Sequence, residues 1–169
     1  FFSGVADTWP YIKNGQEKNG KWFATAKLIN RFVPEDQKGT YLDKLHMCLK
    51  IARAMRRLHA AGLAHGDLSY NNVLVDPLSG SALILDDDGL VVPGKYPPEV
   101  IGTPEFIAPE VLATKTLSIS DPNKKLPNIA TDRYQLAVLI YTFLLNRHPL
   151  DGGKVWDVDD PHKDDDMRY

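Results

Sequence analysis

Cysteine is almost absent from this sequence of 169 residues, and no apolar run reaches the length of a membrane span. The single thiol, Cys48, lies among apolar positions of a predicted helix, which indicates a packed thiol in a reducing compartment. Charge of one sign is not in excess either, because the formal net charge is −2. These absences argue against nucleic-acid and membrane partners and predict a cytoplasmic globular domain. The sequence also begins without a methionine, so we expect it to be a fragment.

Two long helices dominate the predicted secondary structure. The first begins at Thr40, a suitable N-cap with Asp43 three residues later, and ends at Gly62. The second runs from Thr131 to about Asn146 and is apolar almost all round, which is typical of a helix inside a domain. In the first helix, apolar residues recur at three- and four-residue steps, and we expect this set to face a core: Leu42, Leu45, Cys48, Leu49, Ala52, Met55 and Leu58.

Strands are predicted at three places. Residues 73–75 and 82–85 are separated by a turn and should form a hairpin. Residues 22–26 are a further strand candidate in an otherwise irregular N-terminal segment. The C-terminal segment is rich in aspartate and predicts a solvated tail or insertion. We therefore divide the chain into an N-terminal part (1–34), a central domain (35–150) and an acidic tail or insertion (151–169).

The residues with the clearest chemistry lie in His65-Gly66-Asp67-Leu68-Ser69-Tyr70-Asn71-Asn72. Asp67 and Asn72 are five residues apart, in a predicted loop between the first helix and the hairpin. At this spacing a carboxylate can face an attacking hydroxyl while an amide oxygen faces a magnesium ion on nucleotide phosphates. The hairpin brings Asn72, at its entry, close to Asp87, just beyond its exit. An aspartate at the position of Asp67, taken alone, would more often cap a turn. The prediction therefore depends on the other motif residues that occur in order with it.

Three further motifs follow in order: Asp87-Asp88-Gly89, the segment from Gly102 to Glu110, and Asp132 near the start of the second helix. From about Thr40 to Pro149 the chain thus resembles the C-terminal lobe of the protein kinase fold. The resemblance implies an α+β fold in a mainly helical lobe with a small β-hairpin. It also implies ATP and Mg²⁺ as cofactors and a protein as substrate.

The resemblance assigns a role to each motif residue. Asp67 corresponds to the catalytic base, and Asn72 and Asp87 correspond to the metal ligands. Leu74 corresponds to the residue under the adenine ring, and Thr103 to the threonine that helps to hold the catalytic aspartate. The resemblance further implies that the buried carboxylate of Asp132 ties down the backbone of the catalytic loop.

The sequence departs from the kinase pattern at several positions. Gly66 replaces the arginine of H-R-D, which makes the loop a non-RD, H-G-D type, and Asp88 replaces the phenylalanine of D-F-G. Ser69 stands where Ser/Thr kinases carry a lysine. No glycine-rich loop is present, and Lys27 lies too close to His65 to be the phosphate-binding lysine, so we expect the N-terminal lobe to be missing or reduced. The sequence of residues 69–76 also resembles that of a bacterial kinase-like group found near stress and tellurite-resistance genes.

Three functions remain open from the sequence. The first is transfer of the ATP γ-phosphate to a protein Ser or Thr hydroxyl. The second is a pseudokinase that serves as a binding platform. The third is a small-molecule phosphotransferase of the aminoglycoside or choline type, which also uses an H-G-D-x-x-x-x-N loop. The segment from Gly102 to Glu110 argues against the third, because it corresponds to the segment that shapes the peptide groove of protein kinases.

Overall fold

A computed structural model of the chain describes residues 12–13, 16–85, 90–92 and 102–150. The helices and strands in these ranges are β1 (Ile12–Lys13), β2 (Gln16–Glu17), α1 (Ala26–Phe32), α2 (Tyr41–Ala60), β3 (Val73–Asp76), β4 (Ser81–Ile84), α3 (Pro109–Ala113) and α4 (Ile129–Leu145). Within these ranges no helix has both the length and the hydropathy needed to cross a bilayer. The α+β, mainly helical architecture with a small hairpin is confirmed.

Helix α2 begins and ends as its sequence predicts. The Thr40 hydroxyl accepts from the Asp43 backbone N–H, and the Asp43 carboxylate accepts from the Thr40 N–H, so two donors of the first turn are satisfied reciprocally. At the other end Gly62 has a φ of +78°. Its N–H donates to His59, while the Leu63 N–H donates to Leu58 O, a pairing that closes the last turn.

The predicted core face of α2 is partly wrong. The helix buries Met47, Cys48, Ile51 and Met55, whereas Leu42, Leu45 and Leu49 are exposed by 58%, 39% and 46%. Two neighbouring stripes of α2 are apolar, and periodicity alone does not distinguish them. Helix α4 and strand β4 pack against the first stripe, so the partner elements decide which one is buried.

Helices α2 and α4 pack side by side in opposite directions. Near one end His59 of α2 contacts Asp132 of α4, and near the other the Lys44 Nζ donates to Asn146 Oδ1 over 3.0 Å. Asn128 caps the start of α4, and Asn146 ends the helix with a φ of +52°. The bounds of α4 lie within about two residues of those expected. Its buried residues join those of α2, β3 and the loops in one core.

The hairpin is confirmed, and the N-terminal strand candidate is wrong. Strands β3 and β4 pair antiparallel, with Val73 opposite Ile84. The backbone of Asn19 pairs with Leu74 on the other edge of β3. Where residues 22–26 were expected to be extended, a short 3-10 helix is followed by α1, because the Asn19 and Thr25 side chains accept from N–H groups of the following turns. Lys27 is exposed on α1.

Candidate active site

The carboxylate of Asp67 is held from one side. Its Oδ1 accepts from both the backbone N–H of Thr103, over 2.6 Å, and the Thr103 hydroxyl, over 2.8 Å. Asp67 itself is half-buried. Two donors on Oδ1 fix the plane of the carboxylate, and Oδ2, which accepts a longer bond of 3.3 Å from Asn72 Nδ2, is the oxygen that can meet a substrate hydroxyl.

Asn72 lies against Asp67 on the other side. Its Nδ2 donates to the Asp67 carbonyl oxygen over 2.8 Å and contacts Asp67 Oδ2 over 3.3 Å. The amide nitrogen is therefore occupied, and among the described residues the Asn72 Oδ1 accepts no hydrogen bond. Mg²⁺ binds oxygen ligands, amide oxygens among them, so Asn72 Oδ1 fits a magnesium ion in kind.

The second predicted metal ligand, Asp87, lies outside the described residues, as do Asp88 and Gly89. The described part of the chain contains no group of three His, Cys, Asp or Glu side chains that could hold a metal ion. Leu74 is within it, in the buried strand β3, with 1% of its surface exposed. The structure therefore brings together Asp67, Asn72 and Thr103.

Asp132 connects helix α4 to the loop. Its side chain is completely buried, and Oδ2 accepts from the His65 N–H over 2.7 Å while Oδ1 accepts from the Gly66 N–H over 2.9 Å. His59 Nε2 donates to the same carboxylate over 2.9 Å. The expectation that Asp132 ties down the loop backbone is confirmed, and His59 is an additional partner that the sequence analysis missed.

Gln135 is a second connection from α4 that the sequence analysis missed. It lies one turn after Asp132 and is 1% exposed. Its Oε1 accepts from the Leu68 N–H over 3.0 Å, and its Nε2 donates to the Gly66 carbonyl over 3.2 Å. The available signal was a glutamine inside an otherwise apolar helix, on the same face as a functional aspartate.

His65 and Gly66 have structural contacts. The His65 ring is buried, with Nδ1 accepting from the Asp67 N–H over 3.3 Å and Nε2 donating to Leu85 O over 2.9 Å. Gly66 has a φ of +82°, and a Cβ there would lie 2.9 Å from Val91 Cγ2. A side chain at position 66 is therefore strained both by its backbone and by its neighbour.

The segment after Gly102 packs directly onto the loop. The Thr103 hydroxyl lies 3.2 Å from Ser69 Oγ, and the Tyr70 hydroxyl donates to the Glu105 carboxylate. The Tyr70 ring also meets Phe106 edge to face, with centroids 5.0 Å apart. These three contacts, with the two hydrogen bonds from Thr103 to Asp67, place this segment beside Asp67.

Comparison with known proteins gives the same assignment. The protein kinase domain model matches residues 20–165. Serine/threonine-protein kinase PLK4 of Xenopus tropicalis is 32% identical over 128 residues, 73% of this chain and 12% of the relative. Death-associated protein kinase dapk-1 of Caenorhabditis elegans is 32% identical over 106 residues, 61% of this chain and 7% of the relative.

Serine/threonine-protein kinase H2 of Homo sapiens is 31% identical over 131 residues, 74% of this chain and 31% of the relative. The chain thus spans less than a third of the length of each of these relatives. The family match itself covers most of the chain, and it includes the loop, the hairpin and both long helices. The chain belongs to the protein kinase domain family.

Proposed function

We propose that the protein transfers the γ-phosphate of ATP to a Ser or Thr hydroxyl of a protein substrate. Asp67 orients the attacking hydroxyl through Oδ2, and Thr103 keeps the carboxylate in place through Oδ1. The single observation that carries this proposal is the pair of hydrogen bonds from Thr103 to one oxygen of Asp67. In phosphoryl transfer most of the protein's contribution is positioning and charge neutralisation, so a carboxylate with a fixed plane is the group that this reaction needs.

Asn72 and Asp87 would hold Mg²⁺, and Leu74 would lie on the adenine side of the nucleotide. When bound, the metal ion supplies positive charge that offsets the charge of the phosphates. The Leu85 N–H donates to Asn72 O over 2.9 Å, and Asp87 follows Leu85 by two residues. The hairpin therefore brings the chain back to Asn72 two residues before Asp87, which supports a shared ion.

A protein substrate is favoured by the segment from Gly102 to Glu110. Its contacts with Asp67, Ser69 and Tyr70 hold a surface beside the catalytic carboxylate. The three relatives named above are protein kinases by name, and two of the names include serine/threonine. Ser69 is completely buried, and its short uncharged side chain cannot neutralise phosphate charge as a lysine does, so we expect a lower rate than in kinases with a lysine at this position.

Replacing Asp67 by Asn in the whole protein tests the proposal. We expect kcat for phosphate transfer from ATP to protein to fall at least about a hundredfold, because the positioned base is lost, with Mg-ATP affinity within about twofold of wild type. The matched control is Asp36→Asn, which changes an exposed carboxylate remote from the loop. The assay measures radiolabelled phosphate on protein, choline and aminoglycoside acceptors in parallel.

Each outcome of this assay discriminates between the candidate functions. Full activity of Asp67→Asn contradicts the assignment of Asp67. Transfer to choline or an aminoglycoside, with none to protein, supports the small-molecule phosphotransferase instead. Absence of transfer to any acceptor in the wild-type protein, with intact partner binding, supports the pseudokinase.

A further inference from the structure

We infer that Gln135 is a positioning residue that sets the backbone conformation of Asp67. The inference rests on the proposed function, because it concerns the geometry of the same carboxylate. In the part of the chain that the structure describes, Gln135 makes no hydrogen bond to Asn72 or to the Asp67 carboxylate. It acts on the main chain on both sides of Asp67.

The two peptide units that flank the Asp67 Cα are both bonded to Gln135. In the unit before it, the Gly66 carbonyl accepts from Gln135 Nε2 over 3.2 Å, and the Asp67 N–H donates to His65 Nδ1. In the unit after it, the Leu68 N–H donates to Gln135 Oε1 over 3.0 Å, and the Asp67 carbonyl accepts from Asn72. One side-chain amide therefore fixes the planes on both sides of a single Cα, and with them φ and ψ of Asp67.

An uncharged amide suits this position. The Gly66 carbonyl oxygen needs a donor and the Leu68 N–H needs an acceptor. A glutamine side chain offers both on one amide group, Nε2 as the donor and Oε1 as the acceptor. Asp132 does not replace it, because a carboxylate has no donor and already accepts from the two preceding N–H groups. Without Gln135, one buried acceptor and one buried donor of the loop would lack their partners.

The surroundings leave Gln135 little freedom. Gly102 lies over the amide, and a Cβ there would be 3.4 Å from Gln135 Nε2, 3.3 Å from Gly66 O and 3.6 Å from Asp67 Oδ1. Gly66 has no side chain of its own to hold the loop. The conformation of this glycine is instead fixed through its carbonyl by α4 and through its N–H by Asp132.

Replacing Gln135 by Met tests the inference in the full protein. Methionine has a similar volume and removes both hydrogen bonds. We expect kcat to fall at least about tenfold, with the KM for ATP within about twofold, because Asp67 loses its fixed orientation while the nucleotide site is retained. The control is Thr142→Val on the same helix, which removes a buried hydroxyl that bonds only within α4 to Val138 O over 2.8 Å.

Amide hydrogen exchange followed by NMR provides a readout that needs no catalysis. In Gln135→Met the Leu68 amide should exchange at least about tenfold faster, while the His65 amide, bonded to Asp132, stays within about threefold of wild type. The variant Gln135→Glu keeps an acceptor for Leu68 and loses the donor to Gly66. It should lower kcat while the Leu68 amide remains protected.

The outcomes separate this inference from the proposed function. If Asp67→Asn retains activity, the proposed function fails, and the exchange of the Leu68 amide still decides whether Gln135 holds the loop. Unchanged exchange of Leu68 in Gln135→Met overturns the inference. So does an equal loss of kcat in Gln135→Met and Thr142→Val at equal thermal stability, because the effect is then general destabilisation.

Discussion

Helices α2 and α4 lie side by side, yet they differ in which residues they bury: α4 buries polar side chains, and α2 leaves several apolar ones exposed. In α4 the polar side chains Thr131, Asp132, Gln135 and Thr142 are all at most 2% exposed. In α2 three leucines are among the more exposed residues of the helix, at 39% to 58%. From residue type alone one would expect the polar side chains to be exposed and the leucines to be buried.

The difference shows that partners, more than residue type, decide what a helix buries. Asp132 and Gln135 of α4 face a loop whose own N–H and C=O groups need partners, while the hydroxyls of Thr131 and Thr142 donate to backbone carbonyls of the cap and the helix itself. Among the described residues, no buried side-chain nitrogen or oxygen lacks a hydrogen bond. The exposed leucines of α2 lie outside the core that this helix shares with α4 and β3.

The largest expected effect on stability comes from a buried polar residue of α4, Asp132. Replacing Asp132 by Ala removes the acceptor for His65 N–H, Gly66 N–H and His59. We expect the free energy of unfolding to fall by about 3 to 5 kcal/mol, the range for removing one partner from a buried charged network. Urea denaturation followed by circular dichroism measures it.

The control for this prediction is the neighbouring residue. Arg133 is exposed on the outer side of α4, so Arg133→Ala should change the free energy of unfolding by no more than about 0.5 kcal/mol. If Asp132→Ala is as mild as Arg133→Ala, the polar groups of α4 are not what holds the loop, and the contrast between the helices loses its meaning.

The next effect compares two apolar residues of α2. Met55 is 1% exposed in the core and Leu49 is 46% exposed. We expect Met55→Ala to cost about 2 to 5 kcal/mol, because it leaves a cavity, and Leu49→Ala to cost no more than about 0.5 kcal/mol. Thermal and urea unfolding of the pair provide the measurement. Equal losses would mean that Leu49 is packed against another part of the protein.

The smallest expected effect on stability concerns the thiol of Cys48, also on α2, and it is seen only at high pH. Burial raises the pKa of its thiol from 9.0 to about 11, while Lys44 opposes the shift. Between these two values the unfolded chain loses the proton that the folded protein keeps. The stability contributed by the neutral thiol is therefore complete below pH 9 and is lost as the pH rises towards 11.

Comparison with Cys48→Ala isolates this thiol from other groups that titrate at high pH. We expect the difference in unfolding free energy between wild type and variant to be constant up to about pH 8 and to shift against the wild type above pH 9. Reaction of the native protein with iodoacetamide at pH 8 should be slow for the same reason. A constant difference up to pH 11 would contradict burial of the thiol.

The sequence was sufficient where local chemistry determines structure. Thr40 with Asp43 fixed the start of α2, Gly62 fixed its end, and the turn of the hairpin fixed β3 against β4. The contact of Asp132 with the loop was also expected, through the family resemblance. These features depend on short-range hydrogen bonds or on a motif with a defined order.

The misses arose where partners far apart in the sequence decide. The exposed stripe of α2 depends on which elements pack against it, and the contacts of His59 and Gln135 join residues 73, 67 and 69 positions apart. The strand expected at residues 22–26 failed for a local reason, since the side chains of Asn19 and Thr25 stabilise helical turns there. Asp87 remains a prediction, because it lies outside the described residues.

The contacts between α4 and the loop also set an order of events during synthesis. The ribosome adds Leu68 to the chain 67 residues before it adds Gln135, and 66 residues separate Gly66 from Asp132. Until α4 has left the exit tunnel and docked, nothing from that helix can bind the peptide groups around Asp67. A nascent chain that ends before α4 should therefore carry every residue of the H-G-D loop and still lack its geometry, so we expect the proposed phosphate transfer to require that the central helix has been made.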